Sequence, residues 1–182
     1  MARRQVLGVM GSPRRGGNTD ILVDEMLRGA ADAGALTQKA MLAELHIGPC
    51  QGCDFCKKAG VCKQKDDMVA LMDQMAASDV WVLGTPVYWW GATAQFKAFL
   101  DRWYAGHASL FKGRRIVLAI PLGDTDAATA RHTVGMFEDA LSYVEAELFA
   151  TVLAPGASDR GDVRQMSDVI EAAYRAGRDA VA

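Results

Sequence analysis

The feature that most narrows the fold is an alternation along the whole chain: short apolar runs rich in β-branched residues recur between segments with helical spacing. Strands buried on both faces and joined by crossover helices produce this pattern, so a parallel sheet wrapped by helices is expected. Strands are predicted over Gln5 to Met10, Thr37 to Leu45, Val80 to Leu83, Arg115 to Ile120 and Glu147 to Leu153. The first helix is predicted over Thr19 to Ala33, with Leu22, Met26, Leu27 and Ala30 on its inner face. A second starts at Asp66 and Asp67 and turns Met68, Leu71, Met72 and Met75 inward, which makes those methionines core. Three more lie near Thr93 to Tyr104, Ala127 to Val144 and Asp162 to Ala176.

Five such units suit an α/β, flavodoxin-like three-layer sandwich with a five-stranded parallel sheet in the order 2-1-3-4-5. Ligands of these sheets bind beyond the carboxyl ends of the strands, so the loops after strands one, three and four are the expected site. A Rossmann arrangement fits less well, because the first loop is not G-x-G-x-x-G and no sixth strand is available. The length of 182 residues, without repeat, linker or low-complexity tract, predicts one domain spanning 1–182. Its longest stretch without predicted structure, Ile47 to Lys65, contains every cysteine, and loops of that length are usually functional.

Composition removes several classes of function. Apolar residues at 51% and charged ones at 23% argue against a disordered or fibrous chain. A net charge of −2 supplies no field for holding a polyanion, so nucleic acid is not an expected partner. The first apolar run, Val6 to Met10, is broken by Gly8 and is too short for a signal sequence, and no run approaches membrane-spanning length. A cytoplasmic protein with no membrane partner is expected.

The loop Gly11 to Asp20, GSPRRGGNTD, lies between a strand and a helix and is suited to an anion. Its glycines, Gly17 among them, let backbone N–H groups converge, and Ser12, Asn18 and Thr19 offer side-chain donors. Arg14 or Arg15 adds charge; helix capping by Asn18 or Thr19 is the competing explanation for those two residues. Strand three runs into Thr85 to Gly91, TPVYWWG, where Pro86 stiffens the backbone and Tyr88, Trp89 and Trp90 crowd one loop. Residues Pro86, Val87, Tyr88 and Trp89 suit the face and polar edge of a flat aromatic ligand; filling a core or an interface is the competing explanation for these rings, more for Trp90 than for Tyr88. The strand-four loop, Pro121 to Asp124, contributes Gly123. Lys97, Asp101 and Arg102 are expected to form a solvated, salt-bridged helix face, and His107 and His132 receive no role.

Cys50, Cys53, Cys56 and Cys62 follow the spacing C-x2-C-x2-C-x5-C. In an acidic cytoplasmic protein this favours thiolate-bound metal over disulfides. Zinc sites usually draw two cysteine pairs from separated segments, while one compact loop more naturally wraps a [4Fe-4S] cube. A loop left without metal, with thiols that form labile disulfides, stays open as a third case. Lys57, Lys58, Lys63 and Lys65 would offset a cluster's negative charge or simply be solvated.

Gly11-Ser12-Pro13-Arg14 with Gly17-Asn18-Thr19 resembles the FMN-phosphate loop of the flavodoxin-like NAD(P)H-dependent FMN reductase superfamily. Thr85 to Gly91 is similar to that family's flavin-ring loop, and Gln95 to Arg102 to the helix after it. The cysteine spacing, with Pro49 before it and Asp66-Asp67-Met68 after it, resembles the compact motif of the iron–sulfur flavoproteins within the superfamily. The resemblance implies FMN, a [4Fe-4S] cluster, a homodimer or tetramer, and electron flow between a ferredoxin-like one-electron carrier and an acceptor. Two alternatives stand beside it. One is an NAD(P)H-dependent FMN or quinone reductase with a structural cysteine loop; the other is a non-catalytic electron carrier or redox-sensing binding protein.

Overall fold

A computed structural model describes residues 3–106 and 108–182; His107 lies outside the described residues. Five parallel strands form one sheet: β1 (Gln5–Met10), β2 (Leu36–Met41), β3 (Val80–Gly84), β4 (Arg115–Leu122) and β5 (Glu147–Pro155). Their order is β2-β1-β3-β4-β5, as the run of alternating units predicts. The seven α-helices among the described residues are α1 (Asn18–Asp32), α2 (Phe55–Ala59), α3 (Met68–Ala77), α4 (Ala94–Asp101), α5 (Ala108–Phe111), α6 (Arg131–Tyr143) and α7 (Ser167–Ala180).

Strand alternation divides the apolar residues between two faces. On one, Leu7, Val9, Trp81, Leu83, Leu118 and Ile120 pack against α3, α4 and α6 through Leu71, Met75, Phe96, Phe99 and Phe137. On the other, Val6, Met10, Val80, Val82, Val117 and Ala119 meet α1 and α7. Those two helices cross at glycines: a Cβ on Gly29 would stand 2.0 Å from the Tyr174 carbonyl oxygen, and one on Gly177 1.8 Å from that of Met26. Only glycine permits this approach, which seats α1 and the loop that precedes it.

Three expectations need correction. The second strand stops at Met41 rather than Leu45, and Leu42–Glu44 form a 3-10 turn. Its partner β1 ends where Met10 faces Met41, so no backbone remains to pair with. The stretch from Ile47 to Lys65 is not structureless, since it contains α2. None of the residues of α2 is buried, so it carries no periodic apolar signal. The predicted helices at Thr93, Ala127 and Asp162 are composite: α4 runs on into a 3-10 turn over Arg102–Ala105, while α6 and α7 follow 3-10 turns over Ala127–Ala130 and Asp162–Gln165.

Candidate functional site

The carboxyl ends of β1, β3 and β4 open into one cleft. A hollow of about 190 Å³ there is lined by Ser12, Arg14, Gly17, Asn18, Thr19, Pro86, Val87, Tyr88 and Gly123, among others. The structure thus gathers nine of the ten residues predicted for an FMN site. Trp89, the tenth, lines a second hollow of about 220 Å³ with Trp90, which shares Val87, Leu122 and Gly123 with the first.

The end of the cleft at the turn after β1 is set by glycine geometry. Gly16 adopts φ +64°, and the Gly17 N–H closes a turn onto the Arg14 carbonyl at 3.1 Å. A Cβ on Gly17 would lie 2.9 Å from that carbonyl oxygen. The first helical bond of α1 runs from the Ile21 N–H to the Gly17 carbonyl, so the N–H groups of Asn18, Thr19 and Asp20 precede it. Donors at a helix start, with the positive end of its dipole, form an anion cradle. The negative charge in this turn is directed elsewhere: Asp20 accepts from the Gly16 N–H at 2.7 Å and from Lys39 Nζ at 2.8 Å. Burial pushes the Asp20 carboxyl up, but the Lys39 and Gly16 hydrogen bonds and the Lys39 and Arg15 charges outweigh it and hold the group below its ordinary value.

Asn18 stands in the cleft wall, but its amide is occupied. Nδ2 donates to the carbonyls of Ala157 at 3.0 Å and Asp159 at 2.8 Å, and Oδ1 accepts from the N–H groups of Gly161 and Val163. It therefore ties the loop after β5 to the start of α1. That loop brings Ala157, Ser158 and Arg160 into the cleft. Sequence reasoning missed them because strand five lies away from the switch point; the polar run Ser158-Asp159-Arg160 was the available signal. Arg160 is anchored by a bond to the Arg15 carbonyl, and Arg14, Arg15 and Arg160 together put three cations around a hollow beside the phosphate turn.

At the end of the cleft formed by the loop after β3, Thr93 caps α4 by accepting from the Phe96 N–H and donates to the Gly11 carbonyl at 2.7 Å, joining the ends of β1 and β3. The Val87 N–H bonds the Pro121 carbonyl at 3.2 Å, tying the loops after β3 and β4 together. Tyr88 and Gly91 exchange two backbone hydrogen bonds across Trp89 and Trp90, whose φ values are +49° and +59°. This is the two-residue turn that normally takes Asn-Gly, because both central residues need positive φ. Two tryptophans there, 91% and 51% exposed, serve neither the core nor local preference.

The cysteine loop is closed at its base by a buried ion pair. Arg102, with a side chain 1% exposed, donates through Nη1 to Asp66 Oδ2 at 2.6 Å and through Nη2 to Asp66 Oδ1 at 3.0 Å. Nη1 also reaches the Gly48 carbonyl at 2.9 Å, and the Gly48 N–H donates to Asp66. The expectation that Arg102 belongs to a solvated face is thus wrong; Lys97 and Asp101 do form that face, 2.5 Å apart. Arg102 opens the 3-10 turn that follows α4, and both it and its neighbour Trp103 are buried there. Burial acts against the charge on Asp66, but the Arg102 hydrogen bond, the Gly48 N–H and the Arg102 charge outweigh it, and its carboxyl stays below the usual range.

Within the loop, Gly52, Asp54 and Gly60 have positive φ, and α2 lies between Asp54 and Gly60. Cys50, Cys53, Cys56 and Cys62 are unbridged, and all four line one hollow of about 20 Å³ together with Arg102 and Tyr104. Among the described residues, no group of three or more His, Cys, Asp or Glu closes tightly enough to hold a single metal ion. As a donor set, four thiols on one wall suit a thiolate-bound centre. Cys50 and Cys53 are exposed, while Cys56 and Cys62 are half-buried against the protein.

Comparison with known proteins agrees with this geometry. An iron-sulfur flavoprotein of Methanocaldococcus jannaschii is 42% identical over 98 residues, 54% of this chain and 51% of that protein. An iron-sulfur flavoprotein of Archaeoglobus fulgidus is 36% identical over 111 residues, 60% of this chain and 50% of the relative. The matched stretch thus spans about half the length of these relatives. The solved structure of an NAD(P)H:quinone oxidoreductase from Methanothermobacter marburgensis superposes with a TM-score of 0.75 at 18% identity, covering 98% of this chain and 97% of that one, a likeness of fold. The model of the NADPH-dependent FMN reductases matches residues 4–155, from the first strand through the last, and the chain belongs to that family.

Proposed function

We propose that residues 1–182 act as one FMN-binding unit of an iron–sulfur flavoprotein oxidoreductase, with a [4Fe-4S] cluster held by Cys50, Cys53, Cys56 and Cys62. The observation that carries the reading is the convergence of four unbridged thiols on one hollow in a chain that also builds the family's cleft. When bound, the cluster supplies one-electron exchange with a ferredoxin-like carrier and FMN supplies two-electron exchange with an acceptor. The protein's own part is placement. Ser12, the α1 N–H groups and Arg14 hold the phosphate, Thr19 and Gly17 shape its turn, and Asn18 fixes the loop bearing Ser158 and Arg160. Pro86, Val87, Tyr88, Trp89 and Gly123 wall the ring. The cysteine hollow is roomy enough for about one water, so to hold a cluster the exposed Cys50 and Cys53 would have to move outward, while the Arg102–Asp66 pair would hold the base. A homo-oligomer in the cytoplasm completes the reading; no helix among the described residues is long and apolar enough to cross a membrane.

The test is an absorption spectrum of anaerobically purified, iron- and sulfide-reconstituted protein, with iron, zinc, sulfide and FMN quantified on the same sample. Four irons per chain and a broad visible shoulder beside the flavin bands are expected; flavin without iron refutes the cluster. A second reading has NAD(P)H reducing the flavin directly, and the open hollow at Trp89 and Trp90 favours it by leaving space beside the ring wall. Rapid bleaching of bound flavin by NADPH, with ferredoxin inert, is its signature.

A further inference from the structure

One of the three guanidinium nitrogens of Arg102 has no hydrogen-bond partner among the described residues. Nη1 and Nη2 are spent on Asp66 and the Gly48 carbonyl, while Nε is buried and, among the described residues, has no hydrogen-bond partner. The side chain lines the hollow that all four cysteines surround. Cys62 is the cysteine that shares both this hollow and the larger one beside it with Arg102. A buried donor is rarely left unpaired, and one that faces a candidate ligand site calls for a partner there, whether a ligand, a redox group or a water.

The geometry points to Arg102 as a positioning residue for the Cys62 corner of the cluster: Asp66 and Gly48 hold the guanidinium rigid, and its Nε–H donates to sulfur at that corner. This rests on the cluster reading above. Three consequences follow from the residues themselves. The pair holds both ends of the cysteine loop, since Gly48 precedes Cys50 and Asp66 follows Cys62. Positive charge and a donor beside a thiolate favour the more negative, reduced state, so the cluster potential is raised. Because Asp66 balances the charge, the hydrogen bond to sulfur is the part that only arginine can provide at this position.

The test uses the full chain reconstituted anaerobically with ferrous iron and sulfide, FMN retained, and titrated electrochemically under optical and EPR detection. Arg102→Lys keeps a cation beside Asp66 but has no Nε–H. The paired variant Asp66→Asn with Arg102→Met removes both charges and guards against misfolding from an uncompensated buried carboxylate. Arg102→Lys, which keeps the ion pair, is expected to take up iron and sulfide as the parent does, and the paired variant to take up less, because the clamp at the base of the loop is lost. At the parent's cluster midpoint the ratio of reduced to oxidised cluster is expected to fall about tenfold, a shift of about 59 mV for a one-electron couple. The FMN midpoint stays fixed, which a general loosening of the fold would not achieve. Parent-like cluster midpoints in both variants overturn the assignment. If the parent itself takes up no iron and sulfide, the cluster reading falls and the inference with it, and the parent's metal analysis separates that failure from the first.

Discussion

The Trp89-Trp90 turn gives a quantitative test of what the cleft is for. Trp89 sits at φ +49° with 91% of its surface exposed, so almost no burial rewards its conformation. A left-handed backbone costs a side-chain-bearing residue about 1–2 kcal/mol, whereas asparagine tolerates it. Trp89→Asn should recover most of that. It loses the contact between the two indoles, whose centroids are 6.2 Å apart, and that contact offsets about 0.5 kcal/mol of the gain. The net expectation is a stabilisation of about 1 kcal/mol in FMN-free protein. For a chain of this length that raises Tm by about 2–4 °C by calorimetry or circular dichroism. The same variant removes a wall of the ring hollow, so FMN should bind about tenfold more weakly in a fluorescence titration, equivalent to about 1.4 kcal/mol. Unchanged FMN affinity, or a lower Tm without FMN, would refute the argument that strain is kept at this turn for the ligand.

Other substitutions separate the two halves of the molecule. Cys53→Ala should abolish reconstitution of iron and sulfide while FMN content stays at the parent level, read by metal analysis and flavin absorbance. Asn18→Leu should do the reverse: four hydrogen bonds to the loop after β5 are lost, unfolding in urea occurs with about 2–3 kcal/mol less stability, FMN is released on dilution and iron is retained. The buried Arg102–Asp66 pair gives a pH dependence. The folded-state carboxyl of Asp66 is held below its unfolded value, near 3.9, so its stabilisation is full above that pH and is lost as pH falls through it to the folded value. Asp66→Asn should therefore cost about 3 kcal/mol at neutral pH, with the difference from the parent shrinking below about pH 4 in urea titrations followed by fluorescence.

The strands and the long helices were legible because each carries its own period: Leu22, Met26 and Ala30 are fully buried where helical spacing puts them, and Trp81 and Leu83 alternate with Val80 and Val82. The turn after β1 was legible for a similar local reason, since a glycine-rich strand-to-helix junction marks a tight turn, and Gly16 takes positive φ there. What stayed hidden depends on partners distant in the chain. Arg102 lies 36 residues from Asp66, and the Asn18 amide meets a loop 139 to 145 residues away.

Arg102 shows why local reasoning fails there. Its neighbours Lys97 and Asp101 satisfy the i, i+4 rule and do lie on the solvated face. One residue further on, the chain has left α4 for a tighter turn in which Arg102 and Trp103 are both buried, Trp103 against Trp81, Phe99 and Phe111. A cation carried there must find a carboxylate, and Asp66, which spacing alone marks as a helix starter, meets it while also accepting from the Met68 N–H at 3.3 Å. The ion pair thereby fastens the end of the cysteine loop to the α3 and α4 side of the sheet. A loop with no buried residue in its only helix cannot hold its shape by packing. This buried clamp orders its base, while Tyr104 on Asp54 and Gln64 on the Pro49 carbonyl tie its middle, so the arginine that periodicity assigned to solvent is one on which the geometry of the four thiols depends.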